Sequence, residues 1–158
     1  MAGPDHPLPI DSLIVKELVR LLRDIRISNG YHTDAGEYVI DEEADASIPD
    51  RATVIEILDD TEETPFQTCK RRSGVLQFKV VVNFTQGAVT AAMRHNARLI
   101  LADIRYALSR TEAHQFPTGT TSLELGGRTM FEREQGSLYF RPQLNGRVAF
   151  VENHRSKS

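Results

Sequence analysis

The chain has 158 residues, of which 40% are apolar and 26% charged, the balance of one soluble globular domain. Its single cysteine, Cys69, cannot form an internal disulfide, and no apolar run approaches the roughly 20 residues of a membrane span. The first nine residues lack the charged-then-apolar pattern of a secretory signal. Composition thus argues against a disulfide-stapled or membrane-spanning protein and predicts synthesis in a reducing cytoplasm.

Charge is distributed unevenly along the chain. The net charge is −3, yet residues 37–63 contain 11 acidic side chains and one basic side chain, Arg51, and so carry −10. The remaining residues carry +7. A subunit with separate acidic and basic regions can attract a second copy, or another partner of complementary sign. The alternative interpretation is a solvated acidic segment that only confers solubility.

The first predicted element is an amphipathic helix that follows a proline-rich arm, residues 1–10. Asp11 and Ser12 are favourable N-cap residues, so we expect the helix to begin there. Apolar residues then recur at three- and four-residue steps and define one buried stripe: Leu13, Ile14, Leu18, Leu21, Leu22 and Ile25. Ser28-Asn29-Gly30 predicts the end of the helix, because Asn and Gly tolerate the left-handed conformation of a C-cap.

Two short strands and a loop are predicted next. β-Branched residues are concentrated at positions 38–40 and 53–58, which favours a strand at each. From residue 59 to residue 74 the chain is polar and contains Pro65. We therefore expect a long loop that is mobile in the free protein, a kind of segment that is often functional.

This predicted loop contains the candidate partner-binding residues. Phe66 is its one large apolar residue and is expected to anchor a partner. Three consecutive basic residues follow and are expected to reach an acidic surface on a neighbour: Lys70, Arg71 and Arg72. Three charges are too few to specify nucleic-acid binding.

The strongest strand signal lies at residues 75–84, where apolar and polar residues alternate as in a sheet that is buried on one face. A second helix is predicted over residues 88–109. Its inner stripe consists of Val89, Met93, Ala97, Ile100, Ile104 and Leu108. Arg94, Arg98 and Arg105 lie away from this stripe, on a face that is either solvated or a partner surface.

Short strands joined by turns are predicted after Pro117. Gly126-Gly127 and Asn145-Gly146 are dipeptides typical of two-residue hairpin turns, and a polar tail follows from residue 153. The whole pattern predicts one α+β domain over residues 11–152. We expect an antiparallel or mixed β-sheet with two α-helices packed on one face, and C-terminal hairpins.

No residue pattern predicts catalysis. His32 and Asp34 lie close together, but a metal site needs three or four ligands, and a turn histidine is the favoured interpretation. Cys69 has no second cysteine at metal-binding or redox spacing. Gly126-Gly127 does not precede a helix, as a phosphate-binding loop does. We therefore expect no catalytic residue, no metal and no cofactor; a small enzyme or nucleotide-binding domain, which needs an active His32 or Cys69, is the less favoured alternative.

Three segments resemble one family. The segment around Asn29-Gly30-Tyr31-His32-Thr33-Asp34-Ala35-Gly36 resembles the NGY-TDAG pattern common in small neck and tail-completion proteins of tailed bacteriophages. The strand at residues 75–84 leads into a long helix that ends at Leu108, and the C-terminal strands follow, in the same order. Together these segments resemble the lambda-type tail terminator family over most of residues 11–152.

The resemblance implies a structural virion protein of the tail and neck, made in the cytoplasm of a bacterial host. Members form a ring, expected to be a hexamer, that caps the tail tube, stops its polymerisation and joins the tail to the head. The implied partners are further copies of the chain, the tail tube protein and a head-completion protein, with DNA only passing through the ring lumen and no membrane. The alternative within the same biology is another neck component, a head-completion or tail-completion protein.

Overall fold

The first helix, α1, is almost surrounded by the core. The computed structural model describes residues 8–40, 54–67, 71–84, 91–109, 116–129 and 141–153, and α1 spans Ile10–Arg23. Four residues of the predicted stripe are completely buried: Ile14, Leu18, Leu22 and Ile25. The first backbone N–H of the helix, at Ile10, donates a 3.0 Å hydrogen bond to a carboxylate oxygen of Glu152. The start of α1 is thereby held by a residue 142 positions later in the chain.

The end of α1 differs from the prediction. The helix stops at Arg23, and a separate 3-10 turn, Ile27–Asn29, follows it. Gly30 then adopts a φ of 91°, the left-handed conformation that favours glycine. The stop signal in the sequence therefore ends the 3-10 turn, whereas the α-helix ends earlier.

Five strands form one mixed sheet. They are β1 (Val39–Ile40), β2 (Val54–Gln67), β3 (Arg71–Asn83), β4 (Thr120–Thr129) and β5 (Gln143–Asn153). Their order across the sheet is β1-β2-β3-β5-β4, with β1 parallel to β2 and every other pair antiparallel. The last of the described strands, β5, therefore lies inside the sheet, between β3 and β4.

Both helices pack on one face of this sheet. The second helix, α2, spans Ala91–Ser109, and four of its predicted inner residues are buried: Ala97, Ile100, Ile104 and Leu108. Alternate residues of β3 meet the helices and are at most 1% exposed: Leu76, Phe78, Val80 and Val82. These residues belong to one continuous core cluster with α1 and β5. The predicted α+β fold, with its antiparallel strands and two helices, is confirmed.

The predicted loop over residues 59–74 is wrong. β2 continues to Gln67, β3 begins at Arg71, and the two strands pair antiparallel along almost their whole length. The register shifts twice along the pair, after Asp59 and after Glu63. Because a strand ladder is made by backbone groups, an acidic and polar segment can be a strand when its neighbour supplies the pairing.

Both predicted hairpin turns are also wrong. Gly126-Gly127 lies within β4, at a register shift against β5 that forms a bulge. Asn145-Gly146 lies within β5, directly opposite Lys79 and Phe78 of β3. A Cβ atom at Gly146 would lie only 2.9 Å from Cε1 of the buried Phe78 ring, so close packing against that ring explains the glycine. Among the described residues after Pro117, two long strands thus stand in place of several short ones.

Candidate partner-binding surfaces

The segment between α1 and β1 is a compact turn that is closed by its own polar groups. The Asp34 carboxylate accepts a 2.8 Å hydrogen bond from the backbone N–H of Ile27. The Asn29 side-chain amide donates a 3.0 Å hydrogen bond to the carbonyl of Asp24, just beyond α1. Gly30 allows the chain to reverse between these two contacts. The turn is therefore defined by local hydrogen bonds.

Gly36 closes this turn against the end of α1. Its N–H donates a 2.9 Å hydrogen bond to the carbonyl of Ile25. A Cβ atom at this position would lie 2.6 Å from the carbonyl oxygens of both Leu22 and Arg23. Only glycine allows this approach of two backbones, because the three oxygens that a methyl group would meet are held by the helix end.

Asp103 of α2 holds the turn from the other side. It is 2% exposed and accepts three hydrogen bonds: from the N–H of His32 at 3.1 Å, from the N–H of Thr33 at 2.9 Å and from the Thr33 hydroxyl at 2.7 Å. A buried carboxylate is tolerated where several donors replace its water. We call residues 27–36 together with Asp103 and Tyr106 the interhelical clamp.

The interhelical clamp also leaves apolar side chains at the surface. The Tyr31 ring is buried and meets the Tyr106 ring edge to face, with 5.6 Å between the centroids. Tyr106 itself is 55% exposed, and Ile27 on the 3-10 turn is 58% exposed. These are two of the three large apolar residues that are exposed in the described part of the chain, and both belong to the clamp.

The exposed side of α2 is basic. We define the α2 outer face by the exposed residues of this helix: Ala91, Ala92, His95, Asn96, Arg98, Ala102, Arg105, Tyr106 and Ser109. It contains two arginines and no acidic residue. Arg105 reaches the far edge of the sheet, where it donates a 2.9 Å hydrogen bond to the carbonyl of Gly126 in β4. The prediction that Arg98 and Arg105 point away from the core is confirmed, whereas Arg94, which was predicted with them, is half-buried.

A different polar row crosses the sheet face opposite the helices. The register aligns Gln77, Arg147 and Glu124 on β3, β5 and β4. Arg147 donates a 2.8 Å hydrogen bond to the Glu124 carboxylate, and both side chains are 59% exposed. These residues help to line a shallow depression of about 260 Å³. Since Arg147 and Glu124 pair with each other, this depression is a poorer candidate for binding a partner than the α2 outer face.

Glu17 is the second buried carboxylate, on α1. It is 8% exposed and accepts hydrogen bonds from Nε of Arg20 at 3.0 and 3.1 Å. These hydrogen bonds raise the pKa of Arg20 above its ordinary value. Arginine is charged at every physiological pH in any case. The pair therefore stabilises one turn of α1, and the charge of Arg20 does not make this contact depend on pH.

The predicted loop residues fall at the tip of the β2–β3 pair. Phe66 lies opposite Ser73 in the strand register, and Arg72 lies opposite both Gln67 and Glu152. Arg71 is exposed at the first position of β3, whereas Lys70 lies outside the described residues. The expectation that these arginines sit on a loop is wrong, because Arg72 is paired with both neighbouring strands and Arg71 is paired with β5. That the four residues bind a partner stays a prediction.

Three residues were considered for metal binding or catalysis: His32, Asp34 and Cys69. His32 is exposed and contributes its backbone N–H to the clamp, while the Asp34 carboxylate caps the 3-10 turn. Cys69 lies outside the described residues. In the described ranges, no group of three or more His, Cys, Asp and Glu side chains is arranged to hold a metal ion. Among these same residues, no helix is long and apolar enough to cross a membrane.

Sequence reasoning missed the buried Asp103 and the exposed Tyr106. Asp103 is separated from Thr33 by 70 residues, so no local pattern connects them. The available signal was an acidic residue on the apolar side of a predicted helix, since a buried carboxylate requires hydrogen-bond donors nearby.

Comparison of the chain with models of known protein families and with curated proteins finds no match.

Proposed function

We propose that this protein is a structural virion subunit that caps a bacteriophage tail tube as a ring-forming tail terminator. It acts by assembly. The ring stops polymerisation of the tube protein and presents its other side to a head-completion protein, while DNA passes through its lumen. Further copies of the chain, the tube protein and the neck are therefore its partners.

The observation that carries this proposal is the use the fold makes of the segment at residues 29–36. Six of the seven residues that define the NGY-TDAG pattern contribute to the interhelical clamp. Gly30 provides the left-handed turn, and Gly36 allows the close approach to the end of α1. Side-chain hydrogen bonds come from Asn29, Thr33 and Asp34, and Tyr31 packs against α2. A pattern of this kind accompanies a shared fold, which supports reading the resemblance at the level of the whole domain.

The distribution of charge supports a ring as the mode of action. A closed ring uses heterologous interfaces, in which one surface of a subunit meets a different surface of its neighbour. The sequence of β2 is acidic and the α2 outer face is basic, so one subunit carries regions of opposite charge that such an interface could use. The exposed charges of the described residues suit assembly contacts that are weak in the free protein and strengthened by the tube.

Electron microscopy of tails tests the proposal. In a virus whose copy of this gene is disrupted, we expect tails of irregular and excessive length that carry no heads, because nothing stops the tube. Supplying the wild-type protein should restore uniform tails, and the protein should be visible as a ring of six at the tube end. Tails of normal length that are joined to heads would contradict the proposal.

Antibody labelling separates the terminator from another neck component. A terminator should label the ends of tails isolated from a head-defective virus. A head-completion protein should instead label heads isolated from a tail-defective virus. Alanine at His32 and at Cys69 provides the remaining comparison, since both variants should cap tails normally if assembly is the only activity.

A further inference from the structure

The chain contains two Asn-Gly dipeptides, Asn29-Gly30 and Asn145-Gly146, and the fold places them in different surroundings. Asparagine before glycine is especially prone to deamidation, because glycine has no side chain to hinder attack by its own backbone nitrogen. That nitrogen bonds to Cγ of the asparagine, the bond from Cγ to Nδ2 breaks, and ammonia leaves with the proton of the backbone amide. Water then opens the succinimide ring at either of its two carbonyl groups, which gives aspartate or isoaspartate.

Asn29-Gly30 lies on the surface of the interhelical clamp, and both residues are exposed. A Cβ atom at Gly30 would have nothing within 4 Å, so the space beside the reacting groups is open. Two hydrogen bonds hold these groups in the turn. Nδ2 of Asn29 donates to the carbonyl of Asp24 at 3.0 Å, and the N–H of Gly30 donates to the carbonyl of Ile27 at 3.0 Å. Both must open before the nitrogen can reach Cγ.

The opening of this turn is a local event. Both hydrogen bonds join residues within the short range 24–30, at the surface, where opening costs only a small part of the total stability. The chain is fixed immediately afterwards, since Asp103 accepts hydrogen bonds from the backbone N–H groups of His32 and Thr33. The hold of Asp103 on these two residues therefore limits how often the turn at Asn29 opens.

Asn145-Gly146 lies within the sheet. Gly146 pairs with Phe78 of β3 on one side and with Leu125 of β4 on the other, and the Phe78 ring covers its α-carbon. The Asn145 side chain is exposed, so exposure alone does not distinguish the two dipeptides. Reaction here requires β5 to separate from both of its neighbours, which costs a much larger part of the stability.

We propose that Asn29-Gly30 is a deamidation site of the folded protein, and that Asp103 sets its rate by holding the interhelical clamp closed. The inference is independent of the proposed function. Isoaspartate adds one carbon to the main chain at position 29 and replaces the amide donor with a carboxylate. The hydrogen bond to the carbonyl of Asp24 is then lost, and the turn that presents Tyr31 to α2 is loosened. The reaction is thus a slow chemical release of the clamp.

Peptide mapping of aged protein tests the site. Wild-type protein is incubated in mildly alkaline buffer and digested with trypsin, which places Asn29 and Asn145 on separate peptides because several arginines lie between them. Mass spectrometry should show that Asn29 converts at least about tenfold faster than Asn145. It should convert more slowly than in a synthetic peptide of residues 24–36, which has no clamp. Asn29→Gln, whose side chain is too long for the five-membered ring, should stay unconverted.

Substitution of Asp103 tests the control of the rate. Asp103→Ala should raise the rate at Asn29 at least about threefold, because the two N–H groups lose their acceptor. Asp103→Asn keeps one acceptor oxygen and should give an intermediate rate. Val148→Ala is the matched control, since it removes buried packing from β5 and leaves the clamp contacts in place. It should leave the rate at Asn29 within about twofold of the wild type. Thermal unfolding verifies that each variant is folded.

Each result supports or overturns a stated part of the proposal. Conversion of Asn29 no faster than that of Asn145 overturns the site. A wild-type rate equal to that of the synthetic peptide, or an unchanged rate in folded Asp103→Ala, overturns the control by the clamp. The converted protein carries an additional negative charge and can be separated by ion exchange. Its amides at residues 32 and 33 should have lost protection from hydrogen exchange, and full protection there overturns the release of the clamp.

Discussion

The interhelical clamp and the polar half of the β2–β3 pair, residues 59–67 and 71–74, both come from polar stretches of the sequence, yet different groups satisfy the backbone in each. In the clamp, side chains such as Asp34 and Asp103 accept backbone hydrogen bonds and hold two helices together. In the β2–β3 pair, the backbone makes the ladder itself. The comparison shows that polarity alone does not distinguish a structural segment from a surface one. What distinguishes them is which groups satisfy the backbone.

Of the substitutions proposed for this comparison, Gly36→Ala should lower the free energy of unfolding most, because it disrupts the clamp. The added methyl group meets carbonyl oxygens of Leu22 and Arg23 that the helix end holds in place. We expect the free energy of unfolding to fall by about 3 kcal/mol. Urea denaturation measures this, and Gly127→Ala is the matched control, because a Cβ atom there has nothing within 4 Å and should change stability by less than about 0.5 kcal/mol. Equal stability of the two variants would contradict the packing argument.

Asp103→Ala should have the next largest effect. It leaves the N–H groups of His32 and Thr33 without their acceptor, which should lower the free energy of unfolding by about 2 kcal/mol. Asp103→Asn keeps one acceptor oxygen and should lose about half as much. Hydrogen exchange adds a local measurement, since the amides of residues 32 and 33 should lose protection before those of β3. Unchanged exchange at these two amides would count against the clamp.

Neutralising the acids of β2 should scarcely change stability. Asp59→Asn, Asp60→Asn, Glu62→Gln and Glu63→Gln together remove four charges, but the backbone ladder with β3 remains. We expect the free energy of unfolding to stay within about 0.5 kcal/mol of the wild type in urea. A loss above about 1.5 kcal/mol would show that these carboxylates hold the strand, and would remove the contrast with the clamp.

Arg147→Ala should have the smallest effect. Its ion pair with Glu124 has good geometry at 2.8 Å, but both partners are more than half exposed. Exposed pairs contribute at most about 0.5 kcal/mol in most cases. A double-mutant cycle with Glu124→Ala measures the coupling free energy of the pair. A value as large as the Asp103→Ala effect would show that burial does not explain why the clamp contributes more to stability than this exposed pair.

Local periodicity in the sequence was sufficient to predict the helices and the strand that face the core. The three- and four-residue steps from Ile14 to Leu22 and the alternation from Leu76 to Val82 each report one buried face, and those residues are buried. The antiparallel sheet and the two helices follow from such patterns. A pattern of this kind depends only on residues within one element, so it is legible in the sequence.

Long-range packing decided the features that were mispredicted. Gly146 has the local signature of a hairpin turn, but its position is explained by the Phe78 ring on another strand. The clamp depends on Asp103, which meets a segment 70 residues away. The secondary structure around Arg71 and Arg72 was mispredicted for the same reason, since β5 pairs with both residues, while partner binding by these arginines stays a prediction. No window of the sequence contains both partners of these contacts.

The interior position of β5 has a consequence for the order in which the molecule forms. β3 and β4 acquire their shared neighbour only when residues 143–153 have left the ribosome, and the first turn of α1 gains its Glu152 contact at the same moment. A nascent chain that lacks these residues exposes two incomplete strand edges, each a template for misassembly. The sheet is therefore completed late, once β5 has been synthesised and can pair with both of its neighbours.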